Sequence, residues 1–338
     1  MASPTSTWGL TGDAAEFVES FYRLDLDQGA WLDGMWRAMQ PLVPGSGPLV
    51  AGRYTLSASG KDYKQLHLTG SHTSVTEQLD AATPGVDGAE FAATFGARKR
   101  VFTFLDVLGS RSRSRSSGML RVMGELGGAD ALNINCIVVR DGNMLGASIS
   151  ASTLAAPVDL SAQARRAWDR FAGHLCAALR LREQADPIVE GVLAADGRVL
   201  DARGDARAAP MRDALKRAAR AIERARLRDR RTDVQAVLDA WRAIYERRWT
   251  LVETTESDGR RLLLARVNPP EQQPVAGGSA REQQVAALLV QGVSQKAIGF
   301  ELQIAPSTVA YHVKKLMQRV GAASVPDLVA RLAARQAT

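Results

Sequence analysis

Cysteine and histidine are almost missing: of 338 residues, two are cysteine and four are histidine. Two cysteines, Cys136 and Cys176, cannot build a disulfide framework or a cysteine-based zinc site. Their settings, an apolar strand and a helix, read as core. His67, His72 and His174 have no metal-ligand spacing with one another or with a cysteine, so no metal is expected. Aromatics are sparse at 6%, and Trp31, Trp36, Phe102, Phe104 and Ile137 are assigned to the core rather than to a chromophore pocket. No stretch approaches the roughly 18 uncharged apolar residues of a membrane helix. The opening MASPTSTWGLTGD has neither a basic start nor an apolar run. A cytoplasmic protein with no membrane partner is therefore expected. G-x-S-x-G, G-x-x-x-x-G-K and HExxH are absent, as is a cysteine nucleophile with an evident partner. No catalytic residue, enzyme activity or cofactor is expected.

What is present is ordinary globular material, 46% apolar and 23% charged, which excludes wholesale disorder. The length implies two or three domains. The net charge of +7 is unevenly spread. Residues 1–185 balance at 18 basic and 18 acidic, 186–268 carry 18 against 14, and 279–338 carry 7 against 3. This asymmetry points to a polyanion partner for the C-terminal half, although an arginine-rich composition with only seven lysines would give the same balance.

Along the chain, Ala14, Phe17, Val18, Phe21 and Tyr22, then Trp31, Leu32, Met35, Trp36 and Met39, recur three and four apart and predict amphipathic helices. Pro41 and the PGSGP at 44–48 end them. Strands are predicted at 49–57 and 63–68, helix over 72–96 with a break at Pro84 and Gly85, and an apolar strand over 101–108. A basic loop, RSRSRSS at 111–117, has the charge and small donors for a phosphate group or is simply solvated; it leads into a helix near 118–126. A hairpin joins 131–139 to 144–152, and a long helix over 159–182 closes the unit. The order of elements and the hairpin make residues 10–182 resemble a GAF-like domain, an antiparallel sheet carrying helices. The resemblance implies a sensory or dimerisation unit, with a small-molecule effector.

Residues 186–268 read as hairpin, two helices near 210–228 and 233–247, and hairpin, with Thr232 as the cap of the second helix. This order looks like a small PAS-like α+β domain. NPPEQQPVAGG, at 268–278, reads as a linker, bounded at 269–278.

Beyond it the chain is entirely helical. Ser279 and Glu282 form a capping box, and Val285, Leu288 and Leu289 share a face. Gly292 stops this helix, Ser294 caps a short one with Ala297, Ile298 and Leu302 inward, and Pro306 starts a third. That helix buries Val309, Val313, Leu316 and Val320 and ends at Gly321. Ser324 and Asp327 cap a fourth. The string Arg281-Glu282, Gly292, Ser294, Lys296, Ile298, Leu302, Ile304, Ser307-Thr308-Val309, His312-Val313, Leu316, Arg319 and Gly321 runs without a gap. It resembles the helix-turn-helix domain of the LuxR/NarL family, here over 279–338. The whole is thus an α+β multidomain chain ending in an all-α four-helix domain.

The resemblance implies sequence-specific binding of double-stranded DNA. A helix fits the major groove, about 12 Å wide, and the outward side of 306–320 carries Ser307, Ala310, Tyr311, Lys314, Lys315 and Gln318. Ser294, Lys296, Ser307 and Thr308, at helix starts, are phosphate contacts. Where the family commonly has a long basic residue this chain has Ala310, which removes one reader. His312 is a packed structural residue in the family. The last helix, with Leu328, Val329 and Leu332, is where the family dimerises, so a homodimer is expected, along with a contact to RNA polymerase. The rival reading is a protein-interaction module, an anti-activator or co-regulator, whose helical tail docks another regulator without reading bases.

Overall fold

A computed structural model describes residues 10, 12–56, 63–82, 94–95, 100–108, 124, 127–140, 143–154, 156–184, 187–227, 231–245, 248–255, 259–268, 278–290, 295, 298–299, 302 and 304–337. The RSRSRSS loop, nearly all of the 118–126 helix and most of 83–96 lie outside the described residues.

The first helices are α1 (Ala14–Phe21) and α2 (Gln28–Met39), each capped by the aspartate preceding it: Asp13 accepts from the Glu16 N–H and Asp27 from the Ala30 N–H. Then come β1 (Leu49–Leu56), β2 (Tyr63–Gly70), α3 (Thr73–Ala82), β3 (Val101–Thr103), α4 (Phe104–Leu108), β4 (Asp130–Arg140), β5 (Asn143–Thr153) and α5 (Ala162–Arg182). The five strands form an antiparallel sheet in the order β2-β1-β5-β4-β3.

The apolar run 101–108 is a strand only as far as Thr103, and α4 takes the rest. The Thr103 hydroxyl accepts from the Asp106 N–H at 3.0 Å and the Asp130 carboxylate from the Leu105 N–H at 3.2 Å. These acceptors start a helical turn where apolar content alone reads as extended chain.

Side chains of β4 alternate between the faces of the sheet. Leu132, Ile134 and Cys136 lie on the side that α5 covers; Asn133 and Asn135 lie on the other. Phe17 of α1 meets Phe171 at 5.0 Å and Trp168 at 6.1 Å between ring centres, and Trp31 Nε1 donates to the Phe21 carbonyl. On the opposite face Tyr54, Phe95 and Phe102 are buried together, and the Tyr54 hydroxyl donates to Asn135 Oδ1 at 2.6 Å. Tyr54 stands across from Gly146 in the register. A Cβ on that glycine would lie 2.0 Å from the Tyr54 ring, so only glycine admits the ring there.

The second sheet has order β7-β6-β9-β8, from β6 (Val189–Ala194), β7 (Val199–Ala202), β8 (Trp249–Thr255) and β9 (Arg261–Val267), with α6 (Ala209–Ala225) and α7 (Val234–Tyr245) between its hairpins. Asp233, not Thr232, caps α7: its carboxylate accepts from the Ala236 N–H at 3.0 Å. A carboxylate at the residue adjoining the first turn also favours the positive end of the helix dipole.

The C-terminal helices are α8 (Ala280–Val290), α9 (Pro306–Val320) and α10 (Val325–Ala337). The chain divides into two compact units, residues 1–242 with 251–265, and residues 243–250 with 266–338. Among the described residues no helix is long and apolar enough to cross a membrane, and no three His, Cys, Asp or Glu side chains gather as a metal site.

Candidate nucleic-acid interface

The capping box at the start of α8 is complete. Ser279 Oγ accepts from the Glu282 N–H at 3.2 Å, and Glu282 Oε2 accepts from the Ser279 N–H at 2.8 Å. Glu282 is 2% exposed, and Arg319 of α9 reaches its carboxylate at 3.3 Å. The Ser279 hydrogen bond, with Arg319 and Lys315 adding positive charge, holds the Glu282 carboxyl below the usual range against the pull of burial. One carboxylate thus fixes both the start of α8 and the last turn of α9. The family pattern contains Arg281-Glu282 and Arg319, but spacing does not disclose that the last two pair.

Helix α9 begins at Pro306 and closes on Gly321, whose φ of +68° is left-handed and whose N–H reaches the Met317 carbonyl. Val309, Val313, Leu316 and Val320 are buried with Val285, Leu288, Leu289, Ile298, Leu328 and Leu332. That spacing turns the remaining face outward. Ser307, Ala310, Tyr311, Lys314 and Gln318 are exposed, and Thr308 and Lys315 are half-buried. The helix has no acidic residue. Among the described residues Lys314 has no ion-pair partner. The Lys315 ammonium lies 4.9 Å from the centre of the Tyr311 ring, and its hydrogen bond to Tyr311 raises its pKa. Tyr311 is 54% exposed, so ring and ammonium present one amphipathic ridge.

His312 is half-buried at 5.6 Å from the Tyr311 ring centre, and its Nδ1 is buried with no hydrogen-bond partner among the described residues. Ser294 and Lys296 lie outside the described residues. Of the short helix before α9, Ile298 is fully buried and Leu302 packs against the same core. Gly299 escaped the sequence reading. A Cβ there would lie 3.0 Å from the Ile304 carbonyl, which itself accepts nothing from it, while the Gly299 carbonyl accepts from the Ile304 N–H. Its signal was a glycine inside a helical pattern, the mark of close backbone approach.

In α10, Leu328 is 0% and Leu332 4% exposed within the single chain. Both are committed to the core of this helical unit, because they sit one turn apart on the side facing α8 and α9. Val329 is half-buried. Ser324 Oγ accepts from the Asp327 N–H and Asp327 from the Ala323 N–H, closing the cap.

Residues 279–332 match the family of bacterial regulatory proteins named for luxR, GerE. This segment is a LuxR-type helix-turn-helix domain. The transcriptional regulatory protein FixJ of Azorhizobium caulinodans is 44% identical over 55 residues, 16% of this chain and 26% of that protein. The chain therefore spans about a quarter of the length of the curated relative it matches. The crystal structure of Escherichia coli SdiA aligns over 93% of each chain at 12% identity, with a TM-score of 0.27, too low to bear on the fold.

Proposed function

We propose that this protein is a non-enzymatic transcriptional regulator that reads the major groove of double-stranded DNA with α9. The observation that carries the reading is the division of that helix: four apolar side chains are committed to its own core, and the opposite face is exposed, free of acid and bears Lys314. The match of 279–332 to a regulator family and the likeness to FixJ support it. Ser294, Lys296, Ser307 and Thr308 contact phosphates; Ala310, Tyr311, Lys314, Lys315 and Gln318 face the bases or the flanking backbone.

One such domain buries limited surface, and two copies on half-sites about one helical turn apart supply useful affinity. The protein acts as a homodimer. Leu328 and Leu332 lie in the core and Val329 packs against it half-buried, so a partner meets α10 over the face that carries none of the three. RNA polymerase contact belongs to the same reading. Residues 10–182 form a GAF-like unit that answers to a small molecule, supported by the single antiparallel sheet with α1, α2 and α5 on one face and an aromatic cluster with Tyr54 and Asn135 on the other. Residues 186–268 form a PAS-like domain, and 269–278 link it to the DNA-binding domain.

Ala310 favours one alternative, a protein-docking tail that reads no bases. Binding of the purified full chain to the DNA upstream of its own coding sequence, over a salt series, separates the two. The regulator reading expects affinity that falls steeply with salt, and Lys314→Ala with Lys315→Ala lowering both affinity and slope, by about one to two in log K against log salt. Affinity and slope unchanged by the double substitution would overturn it.

A further inference from the structure

Helix α6 has two sides of opposite character. Leu215, Ala219, Ile222 and Ala225 are buried. At about 100° per residue, the side turned away from them carries Arg217, Arg220 and Arg224. All three are exposed, as is Arg212 on one flank. The helix holds five cations, these four and Lys216, against two acids, and both acids are engaged elsewhere. Asp213, one turn before Arg217, ends the row and meets Lys216 at 3.2 Å. Glu223 meets Arg226 at 2.7 Å and Arg261 at 2.8 Å. Arg220 lies beside the β6–β7 turn, where its Nε donates to the Asp196 carbonyl at 3.5 Å, while the Asp196 carboxylate accepts from the Arg198 N–H. Among the described residues no carboxylate pairs with Arg212, Arg217, Arg220 or Arg224.

We propose that this arginine row is a second nucleic-acid contact, one that grips the phosphodiester backbone of duplex DNA without reading its sequence. The proposal rests on the reading that the chain binds duplex DNA, and it adds a surface that α9 does not contain. Arg217 and Arg224 lie seven positions apart, about 10 Å along the helix axis. One strand of B-DNA carries a phosphate about every 3.4 Å of axis, so the row matches about three of them. Each guanidinium is a planar fork that donates two parallel N–H bonds to one phosphate. On the other flank Ala214, Ala218 and Ala221 are half-buried, and their short side chains leave a duplex backbone room to approach. A face kept for solubility alone interleaves charges of both signs, whereas here the acids are turned to other cations and the charge of the row is left over. Phosphate contacts carry no base information. The row therefore strengthens binding to every sequence alike, and preference among sequences stays with α9.

The test compares the full chain, the triple variant Arg217→Gln, Arg220→Gln and Arg224→Gln, and the same three positions changed to Lys. Each is titrated over a salt series with the DNA upstream of the coding sequence and with an unrelated duplex of equal length. Glutamine keeps the helix propensity and the positions are exposed, so the urea midpoints should agree. The glutamine variant should lose about two to three in the slope of log K against log salt, and at least about tenfold in affinity at low salt, equally on both duplexes. The lysine variant should keep the slope. Lys314→Ala with Lys315→Ala should instead weaken the preference for the upstream DNA, and the two losses should add when combined. If the glutamine variant binds both duplexes as the full chain does, if its loss is confined to the upstream duplex, or if it alters only the oligomeric state of the free protein, the proposal is overturned and the α9 reading is untouched. If the α9 substitutions change nothing while those in α6 flatten the slope, the proposal stands and the α9 reading falls. A full chain without salt-dependent binding to either duplex would overturn both.

Discussion

His174 sits at the centre of α5, fully buried, with its Nδ1 2.9 Å from the Tyr22 hydroxyl. Burial, and to a lesser degree the charge of Arg170, lower its pKa to about 3. The imidazole is therefore neutral in the folded protein at every pH above that value, whereas in the unfolded chain it takes a proton below about 6.5. Between the two values the unfolded chain binds the extra proton, so acidification from 6.5 toward 3 removes stability, at no more than about 1.4 kcal/mol per pH unit from this one group. His174→Gln keeps an acceptor for Tyr22 and removes the titration. Urea unfolding of the two proteins at several pH values between 4 and 7 should show a shallower pH dependence for the variant. Parallel curves would place the acid sensitivity elsewhere.

At the scale of elements, helix α8 rests on a reciprocal cap that also holds α9 through Arg319. Glu282 is a carboxylate whose pKa is depressed on folding, so its contribution is full above the unfolded value near 4.3 and is lost as pH falls through the lower folded value. Glu282→Ala should cost about 1 kcal/mol at neutral pH, and amide exchange in the first turn of α8 should quicken near Ser279 and Glu282. Unchanged protection there would mean that the box is decorative. This cap was legible from four letters, Ser-Ala-Arg-Glu, because capping is local and involves residues three apart. The inward valines of α9 were legible for the same reason, as a helix repeats every 3.6 residues. The switch from β3 to α4 was not, because Asp130, 25 residues away from Leu105, supplies one of its acceptors. Nor was the ring of Tyr54 over Gly146, 92 positions on, since register across a sheet is invisible in either strand alone.

For the larger unit, charge counting pointed one way and pairing another. Residues 186–268 carry an excess of cations, yet Arg203, Lys216, Arg226, Arg231 and Arg261 each reach a carboxylate between 2.6 and 3.2 Å. Five of the eighteen cations of that segment are thus neutralised by a neighbouring carboxylate, which a sum over sequence cannot reveal. Arg226 is the centre of the arrangement. Its side chain is 14% exposed and touches Glu19 at 2.6 Å, Glu223 at 2.7 Å and Glu253 at 2.7 Å. Burial works against the guanidinium charge, and Glu19, Glu253 and Glu223 more than offset it, so its pKa rises. A few residues on, the Arg231 carbonyl accepts from the Ala14 N–H at 3.0 Å while its guanidinium meets Asp13 at 2.6 Å. The start of α1 is thus held by the segment following α6, 218 positions later in the chain, from Asp13 to Arg231. Removing the central cation leaves three carboxylates converging on one another, and half-buried groups of this kind lose about 2–3 kcal/mol when unpaired. Arg226→Met should therefore lower the urea midpoint of the full chain, and added salt should recover part of the loss by screening the carboxylates. Combining it with Glu19→Gln should cost less than the two single losses added, with a coupling of about 1 kcal/mol. Strict additivity would show that Arg226 and Glu19 do not act on each other.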